Sequence, residues 1–158
     1  MNWLEAVILG IIQGLTEFLP ISSSGHLVLA QHFMNINERG VLLEVILHMG
    51  TLIAILAYYW DDLTNLAKDV FNGIAEAKTY VLYLAVATVP AIFAGIFFEN
   101  RIEFAFIPSV VIWMLMITGL VVGSTYFVIN RSRRELTYMI VLYIGFAQAF
   151  ALLPGISR

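Results

Sequence analysis

The sequence contains no cysteine and few charged residues, and each shortage excludes a class of chemistry. Without cysteine the chain forms no disulfide, has no thiolate nucleophile and offers no thiolate ligand to zinc. Charged residues make up only 12% of the 158 residues, whereas hydrophobic residues make up 61%. The eight lysines and arginines are scattered and the net charge is only −3, which argues against a nucleic-acid-binding surface. The composition predicts an all-α, polytopic membrane protein, whose lipid-facing surface is apolar too.

Three apolar runs are long enough to cross a bilayer, which takes about 20 residues of helix. They cover residues 41–60, 79–98 and 106–130. A further run, residues 2–19, breaks at Pro20 and is followed by an apolar stub, residues 26–34, that is too short to cross. We interpret residues 1–34 as a re-entrant hairpin, because a broken backbone is tolerated at membrane depth only beside protein or water.

A similar break recurs near the end of the sequence. The segment from Gly10 to Ser22 resembles the segment from Gly145 to Ser157, since both hold a Gly-x-x-Gln step followed by Leu-Pro and a serine. We interpret residues 137–158 as the start of a second re-entrant hairpin. Three crossings between the hairpins would make them enter from opposite faces, as in inverted repeats. The other interpretation is a chance similarity between two glycine-rich apolar helices. Residues 1–158 are expected to form a single membrane domain.

The distribution of basic residues in the short connectors predicts the orientation. Connectors 61–78 and 130–136 hold two lysines and three arginines, whereas connectors 35–40 and 99–103 hold one arginine each. The first two connectors are therefore expected in the cytoplasm. The first hairpin then enters from outside.

Gln13 and Glu17 are four residues apart and share one face of a helix. A carboxylate at membrane depth costs on the order of 2.5–3.5 kcal/mol, so it usually marks a functional site facing water or a partner. The alternative is a structural hydrogen bond to another helix. The spacing of Gly10 and Gly14 would let another backbone approach the same face.

Three serines and a histidine follow Pro20, where a new helix begins. Helix N-termini bind anions through unpaired amides, and the hydroxyls of Ser22, Ser23 and Ser24 add donors. His26 could exchange a proton with a serine or with a leaving oxygen. Capping of the helix explains the serines equally well.

Two further sets of polar residues stay open to two interpretations. Ser157 and Arg158 follow the second break, where the guanidinium suits phosphate oxygens or simply lies in solvent. Glu44, His48 and Thr51 form a stripe on one face of the first full span. We favour pairing among the three residues over a role behind the site.

The motifs QGLTEFLPISSSGH and LPGISR together resemble the undecaprenyl-diphosphate phosphatase family, also called the bacitracin-resistance proteins, and the resemblance spans the whole chain. It implies hydrolysis of undecaprenyl diphosphate to the monophosphate in a bacterial plasma membrane, at a multi-pass protein whose site opens to the outer face. It also implies bacitracin resistance and is compatible with a homodimer. The alternative function is half of a polyprenyl-phosphate flippase, since transporters are also built from inverted repeats.

The resemblance also implies roles for individual residues. Glu17 would be the catalytic carboxylate, acting as a base or through Mg²⁺ or Ca²⁺. Ser23 would be the nucleophile, and His26 would be its proton partner. The diphosphate would be bound by Gln13, Ser22, Ser24, Ser157 and Arg158. The family's second motif continues beyond the arginine, and the family has six spans. We therefore expect this chain to be truncated, with the second repeat incomplete, and inactive or nearly so by itself.

Overall fold

The computed structural model describes residues 1–36, 42–127 and 136–157. Within these ranges the chain is all-helical, as the composition predicts. The helices are α1 (Trp3–Thr16), α2 (Ser23–Phe33), α3 (Leu42–Tyr58), α4 (Trp60–Phe71), α5 (Ala75–Glu103), α6 (Pro108–Thr125) and α7 (Tyr138–Phe150).

Two helices, α5 and α6, are long and apolar enough to cross a membrane. These helices contain most of the predicted spans 79–98 and 106–130, although residues 128–130 lie outside the described residues. The predicted span 41–60 corresponds to α3, which meets the same test only when it is combined with α4, across a bend of 68°. Residue 41 lies outside the description too. Among the described residues, length and composition therefore give two spans, or three if the bent pair is one span.

Helix α4 corrects the prediction of a polar connector at residues 61–78. Its apolar residues, Leu63, Leu66 and Val70, recur at helical spacing. Asp61 lies in the first turn and Lys68 in the last, so each charge is opposite in sign to the nearby end of the helix dipole and stabilises the helix. The high charge content of this segment therefore indicates the polar side of a helix and not a loop.

The first hairpin consists of α1, a turn over residues 17–21, and α2. Helix α1 ends at Thr16, not at the predicted residue 19, and α2 begins at Ser23, not at residue 26. Asn2 caps α1 through a reciprocal capping box with Glu5.

The packing divides the helices into two groups that meet at the tips of the two breaks. Leu9, Leu27 and Leu43 form the buried core between α1, α2 and α3. Helices α5 and α7 make the most extensive helix pair, where a Cβ on Gly145 would lie 2.6 Å from the Ala87 carbonyl oxygen. Helix α6 packs on α2, and α4 contacts both α3 and α5.

The surroundings of the aligned glycines differ. Gly145 touches α5, but in the described part of the chain no atom beyond the adjacent backbone of α1 lies within 4 Å of a Cβ built on Gly10 or Gly14. The expected close approach of a backbone to the α1 glycines is therefore not found among these residues.

Candidate active site

The turn between α1 and α2 brings Glu17 back to face the start of α2. Glu17 ends α1 in helical geometry, and its amide donates to the Gln13 carbonyl oxygen at 3.0 Å. Ser22 has a φ of 64°, in the left-handed region that non-glycine residues rarely adopt. Such a conformation costs on the order of 1–3 kcal/mol and is often found at functional sites.

Glu17 and Ser23 form the centre of the site. The Ser23 hydroxyl donates to Glu17 Oε2 across 2.5 Å. The same oxygen accepts from Gln13 Nε2 at 3.0 Å. Gln13 is 1% exposed and the Glu17 side chain 13% exposed, so the carboxylate is largely screened from solvent. A serine hydroxyl beside a positioned carboxylate is an arrangement that can generate an oxygen nucleophile.

His48, from α3, reaches the same two side chains. Its Nε2 lies 3.4 Å from Glu17 Oε2 and 3.5 Å from Ser23 Oγ. The expected pairing within the α3 stripe also occurs, but it runs through the backbone. His48 Nδ1 bonds the Glu44 carbonyl oxygen at 2.7 Å, and the Thr51 hydroxyl donates to the His48 carbonyl oxygen at 3.0 Å. Pairing and proximity to the site are therefore compatible.

His26 is not brought to Ser23 by a hydrogen bond in the described structure. Its Nδ1 lies 2.8 Å from the carbonyl oxygen of Ser22, one turn back along the chain. Among the residues described, the histidine that lines the cavity beside Ser23 is His48. The role that the resemblance gives to His26 therefore stays a prediction.

Ser22 connects the two breaks through its side chain. Its Oγ accepts from the Gly25 amide at 3.4 Å, which caps α2 as the alternative interpretation of the serines expected. It also accepts from the Gly155 amide at 3.0 Å. One hydroxyl therefore fixes the N-terminus of α2 and the second break together.

The second break lies against α2 and α6 at backbone distance. Gly155 has a φ of 97°, and a Cβ added to Gly25 would lie 2.9 Å from its Cα. Thr118 of α6 donates to the Gly155 carbonyl oxygen at 2.7 Å and accepts from the Ser157 amide at 3.1 Å. Thr118 was not among the predicted site residues. Its only signal was a hydroxyl beside Gly119 within an apolar helix.

A cavity of about 180 Å³ opens between the two breaks. Its polar lining includes Glu17, Ser23, Ser24, His48 and Ser157. Pockets that enclose a complete drug-sized ligand usually measure about 300–1,000 Å³. The cavity therefore suits a small polar group and leaves no room for a long lipid tail.

The predicted diphosphate-binding residues have different surroundings. Ser22, Ser24 and Ser157 all line the cavity, and the Ser24 hydroxyl lies 3.3 Å from that of Ser22. Gln13 bonds Glu17 instead of lining the cavity. Arg158 lies outside the described residues, so its predicted role stays a prediction.

A second buried polar pair lies behind His48. Gln31 of α2 donates through Nε2 to Glu44 Oε1 of α3 at 2.7 Å. The two residues are 7% and 6% exposed. Their hydrogen bond ties α3 to α2 one turn before His48, and so helps to set the distance from His48 to Ser23.

The donor set permits a divalent cation only with help from a ligand. Glu17 and the serine hydroxyls are oxygen ligands of the kind that Mg²⁺ and Ca²⁺ prefer. Across the described ranges, however, no group of three His, Cys, Asp or Glu side chains could hold a metal ion. Phosphate oxygens would have to complete the coordination, as they often do for Mg²⁺.

Comparison with known proteins gives a consistent result. The family model described as Bacitracin resistance protein BacA matches residues 6–158. The chain is 42% identical over 161 residues to Undecaprenyl-diphosphatase 4 of Bacillus thuringiensis subsp. konkukian (strain 97-27), covering all of this chain and 60% of that protein. It is 42% identical to the undecaprenyl-diphosphatase of Syntrophotalea carbinolica and 40% identical to that of Geotalea daltonii, covering 63% and 62% of those proteins. The chain thus spans about 60% of the length of these relatives.

Proposed function

Because the chain belongs to the bacitracin resistance protein BacA family, we propose that it hydrolyses undecaprenyl diphosphate to undecaprenyl phosphate and inorganic phosphate. The observation that carries the proposal is the contact of the Ser23 hydroxyl with Glu17, inside a cavity lined by further hydroxyls. Relatives over 40% identical carry the name undecaprenyl-diphosphatase. Removal of the terminal phosphate would recycle a lipid carrier of cell-wall synthesis and confer bacitracin resistance.

The proposed reaction begins with Ser23. Glu17 Oε2 accepts the Ser23 proton as Oγ bonds to the terminal phosphorus, and the bond from that phosphorus to the bridging oxygen breaks. The electron pair leaves with the polyprenyl phosphate. Water then attacks the phosphoserine, the bond from Oγ to phosphorus breaks, and Ser23 regains a proton. Gln13 supports this sequence because its amide holds Glu17 Oε2 in place.

The bound diphosphate would lie at the N-terminus of α2. The Gly25 amide is bonded to the Ser22 hydroxyl and the His26 amide to the Ser22 carbonyl oxygen. The amides of Ser23 and Ser24 then remain as the first-turn donors, which have no acceptor within the helix. Ser24 and Ser157 would add hydroxyl donors. Arg158 would add the positively charged guanidinium that the family resemblance implies. A negative charge there is also favoured by the helix dipole.

A divalent cation is part of the proposal. Glu17 and the serine hydroxyls, with phosphate oxygens, would hold Mg²⁺ or Ca²⁺, which would neutralise charge on the diphosphate. Removal of divalent cations with EDTA should lower hydrolysis, and Mg²⁺ or Ca²⁺ should restore it. Full activity in EDTA would remove the cation from the proposal.

The finer architecture is proposed as well. The apolar helices and the family membership identify a multi-pass membrane protein. We place it in the bacterial plasma membrane with the site opening to the outer face. The meeting of the two breaks at Gly25 and Gly155 supports an inverted-repeat arrangement of two re-entrant hairpins. We also propose a homodimer. A measured mass of twice that of one chain in detergent would support it.

The decisive experiment measures phosphate release from undecaprenyl diphosphate by the purified protein, as its gene encodes it. Glu17→Gln and Ser23→Ala should each lower the rate by at least 100-fold, since general acid–base and nucleophilic groups contribute about 10²–10⁴-fold. Thr64→Ala, on the exposed face of α4, is the matched control. Lipid transfer across vesicles without phosphate release would instead support the transporter alternative.

A further inference from the structure

The three histidines of the chain have different surroundings, and one of them faces the proposed reaction. His32 is exposed, and its ring lies near that of Phe33. His26 bonds the Ser22 carbonyl oxygen. We propose that the third, His48, is a catalytic acid–base residue that takes the Ser23 proton onward from Glu17 and gives it to the leaving phosphate. This inference rests on the proposed function.

The hydrogen bond at Nδ1 determines which nitrogen of His48 can act. Nδ1 lies 2.7 Å from the Glu44 carbonyl oxygen. A carbonyl oxygen only accepts hydrogen bonds, so Nδ1 carries a proton. In the neutral ring Nε2 is then unprotonated, and its lone pair can accept a proton. Nε2 is the atom that lies 3.4 Å from Glu17 Oε2 and 3.5 Å from Ser23 Oγ.

The position of His48 also gives the proton a route to the cavity. The His48 side chain is 30% exposed, whereas that of Glu17 is 13% exposed. Both side chains line the cavity, and His48 is the more exposed of the two. After Ser23 has transferred its proton to Glu17, His48 Nε2 accepts that proton and becomes an imidazolium. It then donates the proton to an oxygen of the leaving polyprenyl phosphate, which returns the neutral ring and the carboxylate.

The second half of the reaction needs only Glu17 to move protons. Glu17, again ionised, accepts a proton from the attacking water as the water oxygen bonds to phosphorus. Ser23 Oγ leaves that phosphorus and takes up this proton from Glu17. Because both half-reactions start from the same protonation states, one carboxylate and one imidazole are sufficient.

His48 is held in place by contacts that a merely surface-exposed histidine would not have. Its Nδ1 is fixed by α3 itself, and Gln31 ties the Glu44 side chain of α3 to α2. Leu43 packs in the shared core with Leu9 and Leu27. The backbone hydrogen bond at Nδ1 and the packing of α3 therefore help to hold the His48 ring in place, as expected of a group that moves protons.

The test compares variants of the protein as its gene encodes it, in detergent with undecaprenyl diphosphate. His48→Gln keeps a polar side chain of similar reach but cannot carry a proton. We expect kcat to fall by about 10²–10⁴-fold, with KM changed by less than about threefold. His32→Gln is the matched control and should keep the wild-type kcat.

A second variant separates proton transfer from folding. His48→Ala should lose activity, and added imidazole should restore part of it, because free imidazole can occupy the vacated space. His26→Ala should not be restored by imidazole, since that ring bonds the backbone. A wild-type kcat in His48→Gln, or rescue of His26→Ala but not of His48→Ala, would overturn the inference. If the wild-type protein releases no phosphate, the proposed function itself fails.

Discussion

Replacing Gly155 with alanine tests whether the site depends on the contact between the two breaks. Gly155 has a φ of 97°, and its added Cβ would lie 2.7 Å from the Cβ of Met114 and 2.8 Å from the Val111 carbonyl oxygen. The Val111 oxygen is a backbone atom and the position of the Met114 Cβ is set by the backbone, so a side-chain rotation cannot relieve the overlap. The second break must instead move away from α6.

The cost of that movement follows from the contacts of Gly155. A residue with a Cβ costs about 1–2 kcal/mol in the left-handed region. The hydrogen bonds to the Ser22 and Thr118 hydroxyls would weaken or break, at about 0.5–1.5 kcal/mol each. We therefore expect the free energy of unfolding to fall by about 2–5 kcal/mol. Hydrolysis should fall by about 100-fold, since misplacement of catalytic groups by about 1 Å has that effect.

The assays are a denaturant titration in detergent micelles and the phosphate-release rate of the same preparation. Gly95→Ala is the matched control, because no described atom lies within 4 Å of the added Cβ and alanine is the better helix former. Gly25→Ala should resemble Gly155→Ala, since its Cβ would meet the same contact at 2.9 Å. Wild-type stability and activity in Gly155→Ala would refute the reasoning.

Three further predictions follow from other contacts. Gln13→Ala removes a hydrogen bond to the Glu17 carboxylate, and kcat/KM should fall by about 10- to 100-fold in the phosphate-release assay. An unchanged kcat/KM would show that the Gln13 amide does not support the carboxylate. Gln31→Leu leaves Glu44 buried without its donor and should lower the free energy of unfolding by about 1–3 kcal/mol, a loss that the denaturant titration would have to detect. Because the sequence has no cysteine, single cysteines at Asn72 and Asn100 report orientation. An impermeant maleimide added to intact cells should label the second and not the first, and the reverse pattern would invert the proposed topology.

The sequence predicts the existence of the helices well, because long apolar runs and the Pro20 break are local signals. Their ends are less predictable. Helix α2 begins three residues before the predicted stub because Ser22 caps it, and the serines that look like a loop form its first turn. The connector that became α4 was misjudged because its charge content was counted without its helical spacing.

The candidate site was predictable only where its residues are close in sequence. Gln13, Glu17 and Ser23 lie within one hairpin, so their spacing already indicates a common site. His48 lies 25 residues after Ser23, and helical periodicity shows which face of α3 it occupies but not which helix that face meets. Thr118 was missed for the same reason, since its partners Gly155 and Ser157 lie 37 and 39 residues away.

The double use of the Ser22 hydroxyl has a consequence for how the protein is made. Its two amide partners lie three and 133 residues further along the chain. At synthesis rates of about 5–20 residues per second, the second partner leaves the ribosome roughly 7 to 27 s after Ser22. During that interval the first hairpin has to hold a left-handed serine with only its own helix to stabilise it. The contact that joins the two breaks can therefore form only late in synthesis.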